Sequence, residues 1–450
     1  MNVVFYSTSS NVFSGGDVEV KYFPHRSLCL DSLAKKFPGH HFSVVANLPG
    51  HFLFDLESDE INPRSNLVKC RVTDKLSAED FAAEVLNEKP DVAISATSWS
   101  PPFDWMGLKD SLVAEILEKN GVETVCPSKS TQLICFDKKN TADFLLRNNF
   151  PCPRSVYVHH EYFWAERGNR EIAVNNYKDF VLSEIKKMRY PLVIKDCVGL
   201  SSYGMEVSVS FAQAVHYLKN GRNVSDRLVE EYIDGLHFGT EIYGRNGKYN
   251  VMPPLLFSLN RYGITSPKLS VKMGPVVSEN FKIAGLKKML VELASKIDLN
   301  GFAQVDLIFS GGQWFVVEIN PRLSGMTETY AASMGMSVFD LMLGTAFDSA
   351  SDFPEPKFVC NFKLPLLDDC LFEKISRLPW IGYLHQHKNL AAKQEREKGY
   401  CEAVAGGFDT AMELVQALDK TKTLFPEIFD GPVWDHILWA EKILDRHSGA

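Results

Sequence analysis

The sequence predicts a mixed α/β and α+β chain: a parallel α/β region at the amino terminus, then sheet-and-hairpin units, then a small α+β tail. Three observations predict it. Short apolar, β-rich runs alternate with helical stretches over residues 1–135, as in a parallel sheet. Beyond residue 189, strand-like runs follow one another across Gly-containing turns. At 450 residues, 45% of them hydrophobic and 23% charged, the chain has globular composition and length for about two to four domains.

Each element follows from local pattern. Residues 3–6 and 42–46 are β-rich, and residues 90–95 read as a turn leading into a buried strand. Residues 108–120 form a helix closed by Gly121, and 123–125 are strand again. Residues 136–188 read as largely helical, with a helix over 139–149 stopped before Phe150-Pro151. Strands are expected at 190–195, 227–233 and 240–243, with a helix over 211–221. A long helix at 283–297 precedes a hairpin of 301–309 and 314–319 around Ser310-Gly311-Gly312. Pro354 and Pro356 mark a linker, and helices at 410–418 and 433–444 close the chain. The expected divisions are 1–135, 136–245, 246–350 and 351–450.

Composition excludes several function classes. A net charge of −8 argues against a nucleic-acid binder. Nine scattered cysteines without a C-x-x-C spacing argue for a reduced compartment and against a disulfide framework or zinc knuckle. No apolar run approaches the roughly 18 residues of a membrane span, and the first residues lack a signal-peptide pattern. The expectation is a cytoplasmic protein with no membrane partner.

The hairpin carries the densest chemistry. Glu318 and Asn320 lie two apart on its second strand and share one face. The turn brings Asp306 opposite Glu318. Two carboxylates and an amide oxygen suit Mg²⁺, a hard cation that takes oxygen ligands. The competing reading is a solvent-facing polar strand; the apolar Phe315-Val316-Val317 before Glu318 speaks against it. Arg322, two residues on, is placed to hold a phosphoryl or carboxylate group, or else lies on the surface after a Pro turn. Upstream, Lys195 ends a strand before Gly199-Leu200-Ser201-Ser202-Tyr203-Gly204, whose small residues let backbone amides approach phosphates, as an ordinary turn also would. Glu230 and Glu231 lie on a later strand with Ile233 beyond, and Asp137-Lys138 opens a helix.

In order and spacing these motifs resemble the ATP-grasp superfamily, most clearly over residues 130–345. That resemblance implies an ATP-grasp fold with a preceding α/β domain, a small lid subdomain and a small carboxy-terminal subdomain. Residue by residue, it implies that Lys138 and Lys195 bind ATP phosphates and that the loop with Ser201, Ser202 and Gly204 closes over them. Glu230 would read adenine, with Glu231 and Ile233 lining its slot. Asp306, Glu318 and Asn320 would hold Mg²⁺, as two ions, with Mn²⁺ as a substitute. Arg322 and Lys195 would serve the chemistry, and Lys272 would be a further γ-phosphate contact or a plain surface lysine.

Two departures stand out. Many relatives carry a Glu for the ribose where this chain has His237. D-alanine–D-alanine ligases carry an Arg where it has Gln304, which argues against that activity. The Asn320-to-Gly325 wording looks closer to the amino-acid-ligase and carbamoyl-phosphate-synthetase branches. The implied activity is a carboxylate–amine ligase that joins amino-acid or small-peptide substrates through an acyl phosphate and releases ADP, in a chain compatible with a homodimer. The rival readings are a bicarbonate-dependent carboxylase or carbamoyl-forming enzyme, and a non-catalytic ATP-binding protein.

Overall fold

The computed structural model describes residues 1–8, 26–47, 54–55, 60–61, 65, 67–97, 107–199, 205–220, 224–258, 270–388, 399–426, 429 and 431–446. The amino-terminal sheet is built from β1 (Asn2–Ser7), β2 (His41–Asn47), β5 (Lys69–Thr73), β6 (Val92–Ser95) and β7 (Glu123–Val125), with a two-residue pair, β3 (Phe54–Asp55) and β4 (Glu60–Ile61), set apart. Its order is β5-β2-β1-β6-β7, and every pairing is parallel. Val3 to Tyr6 are fully buried because both faces are covered, which is why the run reads as continuously apolar. Val4 and Tyr6 pack with Phe81, Val85, Val113 and Leu117 of the helices Ala78–Leu86 and Leu108–Lys119. Val3 and Phe5 face the other way, where Phe339 of the helix Val338–Ala346 meets the Phe5 ring edge-on at 5.0 Å. The strand order reverses between β1 and β6, and ligands of such sheets bind outside the carboxyl ends at that point.

The second sheet is small and antiparallel: β8 (Ser155–Val158), β9 (Leu192–Asp196), β10 (Glu206–Ser208) and β11 (Arg227–Glu231), in the order β10-β9-β11-β8. The helices Asn176–Lys186 and Phe211–Leu218 cover it through Val181, Ile185, Ala214 and Leu218. Strand β8 corrects the helical reading of residues 136–188. Four residues give too short an alternation to see, and the partner strand lies some seventy residues on.

The third sheet is the largest: β12 (Leu236–Arg245), β13 (Lys248–Val251), β14 (Leu255–Phe257), β15 (Lys272–Gly274), β16 (Gly301–Ser310), β17 (Gln313–Asn320), β18 (Phe358–Leu364), β19 (Ile381–Lys388) and β20 (Gly399–Phe408). Its order is β17-β16-β12-β14-β15-β18-β20-β19, with β13 beside β12. The helix Ile283–Lys296 packs Leu286, Leu290 and Leu293 into its core, and the helices Ala411–Leu424 and Gly431–Arg446 add Leu414, Leu418 and Ile437. The boundary expected at residue 350 falls inside this continuous sheet, since β15 pairs with β18. The helix expected over 410–418 is longer, because Thr410 and Glu413 cap it reciprocally and it runs on to Leu424.

Candidate functional site

The hairpin β16–β17 turns at Gly311 and Gly312, both with positive φ (57° and 76°), as a two-residue turn requires. Ser310 stands opposite Gln313, and a bulge between Asp306 and Leu307 shifts the register by one residue, which brings Asp306 opposite Glu318 and Gln304 opposite Asn320. Gln304 ties the group together: its Nε2 donates to Asp306 Oδ1 at 2.5 Å, and its Oε1 accepts from Asn320 Nδ2 at 2.9 Å. Arg322 Nη2 donates to Asn320 Oδ1 at 3.2 Å, so the arginine is docked on the same cluster.

Two lysines reach this hairpin from outside. Lys138, the first residue of the helix Lys138–Arg147, places Nζ 3.1 Å from Glu318 Oε1 and donates to the Gly199 carbonyl at 2.9 Å. The Asp137 side chain accepts the Lys139 and Asn140 amides, and the Lys138 amide donates to the Cys197 carbonyl, which fixes the helix start against the end of β9. Lys195 on β9 is buried and pairs through Nζ with Glu230 Oε2 at 2.7 Å. The small sheet thus faces the large one with Lys138 between them.

The electrostatics divide the carboxylates. Burial and then the Glu318 charge push the Asp306 acid up to about 7. Burial also raises Glu318, but Lys138, Lys195 and Arg322 outweigh it and hold Glu318 below its ordinary value. Two adjacent carboxylates and an amide oxygen are the donor set of a hard divalent cation, and such an ion would relieve the repulsion that raises Asp306. Among the described residues no group of three or more His, Cys, Asp or Glu side chains is placed to hold a metal ion. Opposite Asp306 on β12 stands Gly239; a Cβ there would lie 2.2 Å from the Phe257 ring and 2.7 Å from the Met326 sulfur.

The other expected residues are placed as follows. Glu230 is brought to Lys195, so any part in adenine recognition is shared with holding that lysine. The Glu231 side chain turns the other way, to the Arg189 amide at 3.0 Å and the Arg154 guanidinium at 3.5 Å, its own amide donates to the Arg154 carbonyl at 2.9 Å, and Ile233 beyond it is buried. His237 lies on β12 two residues before Gly239, hence on the Asp306 face. Its imidazole is largely buried, burial pushes it down to about 4, and Nε2 has no hydrogen-bond partner among the described residues. A neutral ring with an open nitrogen on that face suits a sugar hydroxyl. Lys272 starts β15, with its Nζ 5.5 Å from the Phe257 ring and its charge acting on Asp306 and Glu241. Ser201, Ser202 and Gly204 lie outside the described residues.

Sequence reasoning missed Glu241. It lies on β12 opposite Gln304, fully buried, and its Oε1 accepts the hydroxyls of Ser324 at 2.6 Å and Thr327 at 2.8 Å. Tyr243 donates to its other oxygen. Burial pushes this acid up to about 7 against the hydroxyls, which lower it. Glu241 therefore clamps the turn that follows Arg322. An acid within the apolar strand around Ile242 was the available signal. A cavity of about 20 Å³, room for a water molecule, lies beyond Arg322 and is lined by Ser95, Thr97, Gln132 and Asn320. The carboxyl end of β6, at the reversal of the first sheet, therefore meets the arginine.

Residues 135–326 match the model of the ATP-grasp domain family. Those residues form an ATP-grasp domain. The chain is 23% identical over 323 residues to the carbamoyl phosphate synthase large chain of Clostridium perfringens, spanning 68% of this chain and 28% of that one. It thus spans about a quarter to a third of the length of such relatives. Its fold is similar to N5-carboxyaminoimidazole ribonucleotide synthetase in complex with ADP (TM-score 0.62, 15% identity, 97% of each chain). It is also similar to an L-amino acid ligase from Bacillus licheniformis (TM-score 0.62, 14% identity, 93% of this chain and 97% of that one). A third similar fold is the biotin carboxylase domain of Hydrogenobacter thermophilus 2-oxoglutarate carboxylase, solved with MgADP and bicarbonate (TM-score 0.61, 12% identity, 95% and 90% covered). No helix among the described residues is long and apolar enough to cross a membrane.

Proposed function

We propose that the chain is an ATP-dependent carboxylate–amine ligase that forms an amide through an acyl phosphate and releases ADP and phosphate. The observation that carries this reading is the meeting of Lys138 and Arg322 at the Asp306–Glu318–Asn320 hairpin, with Lys195 acting on Glu318 from the facing sheet. Lys138 and Lys195 offset phosphate charge, and Arg322 holds the acceptor oxygen near the terminal phosphorus. Mg²⁺ held by Asp306, Glu318 and Asn320 would supply charge neutralisation at the β- and γ-phosphate oxygens. A carboxylate oxygen attacks the γ-phosphorus, the bond to the β,γ-bridging oxygen breaks, and ADP leaves. The amine then attacks the acyl carbon, loses a proton, and phosphate departs. His237 holds the ribose, and Glu241 keeps the Arg322 turn in place.

Hydroxylamine in place of the amine tests the reading. The expected result is a hydroxamate with one ADP for each molecule formed. Stoichiometric AMP and pyrophosphate would overturn it. A second reading, bicarbonate as the acid, is favoured by the likeness to carbamoyl phosphate synthase large chains. ADP release that requires bicarbonate and no other acid would replace the first reading with this one.

A further inference from the structure

In the proposed ligase reaction the amine arrives as an ammonium, as most amines are at neutral pH, and an ammonium has no lone pair with which to attack. It must first give up a proton. A buried acid stands on the far side of Arg322, at the carboxyl ends of β1 and β6. Asp110 lies in the first turn of the helix Leu108–Lys119 and is 2% exposed. Its Oδ1 accepts the Thr8 amide at 3.0 Å, and its Oδ2 accepts the Ser95 hydroxyl at 2.8 Å. The Thr8 and Thr97 hydroxyls bond to the same carboxylate, and Ser7 Oγ lies 2.8 Å from Thr97 Oγ1. The Tyr6 hydroxyl donates to the Asp110 carbonyl at 3.1 Å.

Hydroxyls and one amide hold this carboxylate, and among the described residues no cation pairs with it. Lys109, its neighbour in sequence, turns away: Nζ donates to Asn47 Oδ1 at 2.9 Å and lies 5.9 Å from the Phe81 ring. Tyr6 and Cys126, which also face Asp110, are kept neutral by burial. Burial raises the Asp110 acid above its ordinary value, and its hydrogen bonds pull it back. A buried carboxylate without a counter-cation gains by taking up a proton. The cavity of about 20 Å³ supplies the route. Ser95, Thr97 and Asp110 line one side of it, and Gln132, Asn320 and Arg322 the other. A hydroxyl that gives its hydrogen to Asp110 keeps lone pairs, and these accept from a donor in the cavity. The space suits a water or an ammonium group, which are alike in size. The Arg322 charge on the opposite wall favours loss of a proton from an ammonium placed there.

We infer that this pocket receives the amino group of the second substrate, with Ser95 as the hydroxyl that touches it and Asp110 as the final acceptor of its proton. The inference rests on the ligase reading above and names the residues that serve its amine. The ammonium gives a proton to Ser95 Oγ as Ser95 gives its own to Asp110 Oδ2. The freed lone pair on nitrogen attacks the acyl carbon, and the bond from that carbon to the phosphate oxygen breaks. A second proton leaves the nitrogen with the departing phosphate, so the products are an amide and hydrogen phosphate. Asp110 returns its proton to water once the products have left.

The test compares two nucleophiles of nearly one size. Methylamine is a cation at neutral pH and must lose a proton first; hydroxylamine, a weaker base, is already neutral. Each is given to the full chain with Mg-ATP and the acid that supports hydroxamate formation, and the N-methylamide and hydroxamate are measured. Asp110→Asn keeps the shape and removes the acceptor. Ser95→Ala removes the relay and leaves Asp110 to Thr8 and Thr97, so it stands in if the first variant does not fold. Each is expected to lower kcat/KM for methylamine about 10²-fold more than for hydroxylamine at pH 7, the scale of one general base. That extra deficit should shrink about tenfold per pH unit as free methylamine accumulates toward pH 9. A purely structural Asp110 would lower both nucleophiles in proportion at every pH. Proportional loss in Ser95→Ala, or a wild type that forms hydroxamate and never the N-methylamide, overturns this assignment and spares the acyl-phosphate chemistry. Absence of hydroxamate with every acid overturns the ligase reading, and this assignment with it.

Discussion

The two sheets that face each other across the candidate nucleotide site handle charge in opposite ways. In the small sheet the buried charges are already paired: Lys195 with Glu230, and Arg227 with Asp196 at 2.9 Å. The large sheet holds a buried pair of its own, Lys363 with Glu402, but two further buried acids near the hairpin, Asp306 and Glu241, are pushed up to about 7. The small sheet keeps its cation in place with a built-in counter-charge. The large sheet concentrates acid where positive charge from outside would be welcome. That contrast is what a site for a polyanionic nucleotide and its cation requires, because the holder must be rigid before binding and the acids must gain on binding. It also orders the variants below by the size of the effect expected.

The largest effect is expected at Glu318, the carboxylate on which Lys138, Lys195 and Arg322 all act. Glu318→Gln keeps the shape and removes the charge. Turnover, read as ADP release, should fall roughly 10²–10³-fold, the loss seen when one preorganised electrostatic group is removed. The variant should stay folded and still bind nucleotide. Mg²⁺ should raise the melting temperature of wild type and leave that of the variant nearly unmoved. Near wild-type turnover at limiting Mg²⁺ would end the metal assignment.

Lys195 comes next, and here the small sheet's economy works against the variant. Lys195→Ala removes a phosphate-binding candidate and strands Glu230 in the interior, which costs about 3–5 kcal/mol of stability. Lys138 is partly exposed, with its side chain 12% accessible, so Lys138→Ala should weaken nucleotide binding with the smaller loss of stability. Denaturant unfolding and calorimetry with ATP separate the two quantities. Adding Glu230→Gln to Lys195→Ala should recover stability without recovering affinity. If both single variants kept wild-type affinity, neither lysine would belong to the phosphate site.

The same contrast explains which parts of the molecule were legible in the sequence. The hairpin that brings Asp306 near Glu318 was legible because its two-glycine turn is local, whereas the bulge between Asp306 and Leu307 that sets them directly opposite is a fact of the folded sheet. The parallel first sheet was legible because Val3 to Tyr6 is buried on both sides and reads as an unbroken apolar run. Strand β8 was not, since four residues show no clear period and the partner β11 lies far along the chain. The Lys195–Glu230 pair joins residues 35 apart across β9 and β11, and its register depends on tertiary pairing. Lys363 and Glu402 are of the same kind: each looks like an ordinary surface charge until β18 and β20 are laid side by side. Gln304 was visible as a departure from D-alanine–D-alanine ligases, but its bridge between Asp306 and Asn320 is a fact of geometry alone.

Glu241 sharpens the contrast through pH. Its folded value is raised, to about 7 from an ordinary 4.5, so the folded state holds the proton more tightly than the unfolded chain. The sign follows. Below about pH 4.5 the group is protonated in both states and costs nothing. Between about 4.5 and 7 the unfolded state ionises first, and stability falls as pH rises. Above 7 the full cost, of the order of 1–3 kcal/mol, is present. Glu241→Gln, neutral at every pH, should therefore gain on wild type across that window and be level with it at pH 4. Urea midpoints at pH 4, 6 and 8 read the difference. A gap that closes toward pH 8 would mean that Glu241 is ionised and paired by something other than the hydroxyls of Ser324, Thr327 and Tyr243.

The smallest effect is expected at His237, where the two sheets meet at the start of β12. The ring is buried and neutral, and its Nε2 has no hydrogen-bond partner among the described residues. An open buried nitrogen costs free energy unless a ligand meets it, so a ribose hydroxyl at that point would be worth about 1 kcal/mol, one neutral hydrogen bond. His237→Phe fills similar space and removes the bond. It should raise KM for ATP by about fivefold with kcat little changed, since a ribose contact acts equally in the ground and transition states. The matching measurement uses 2′-deoxy-ATP and 3′-deoxy-ATP with both proteins. Wild type should lose about as much with one of the two analogues as it loses by the substitution, and the variant should not distinguish that analogue from ATP. If wild type uses both analogues as well as ATP, the imidazole does not face the sugar. Its open nitrogen would then be a cost of packing at the start of β12, and the small sheet would hold the nucleotide without help from that strand.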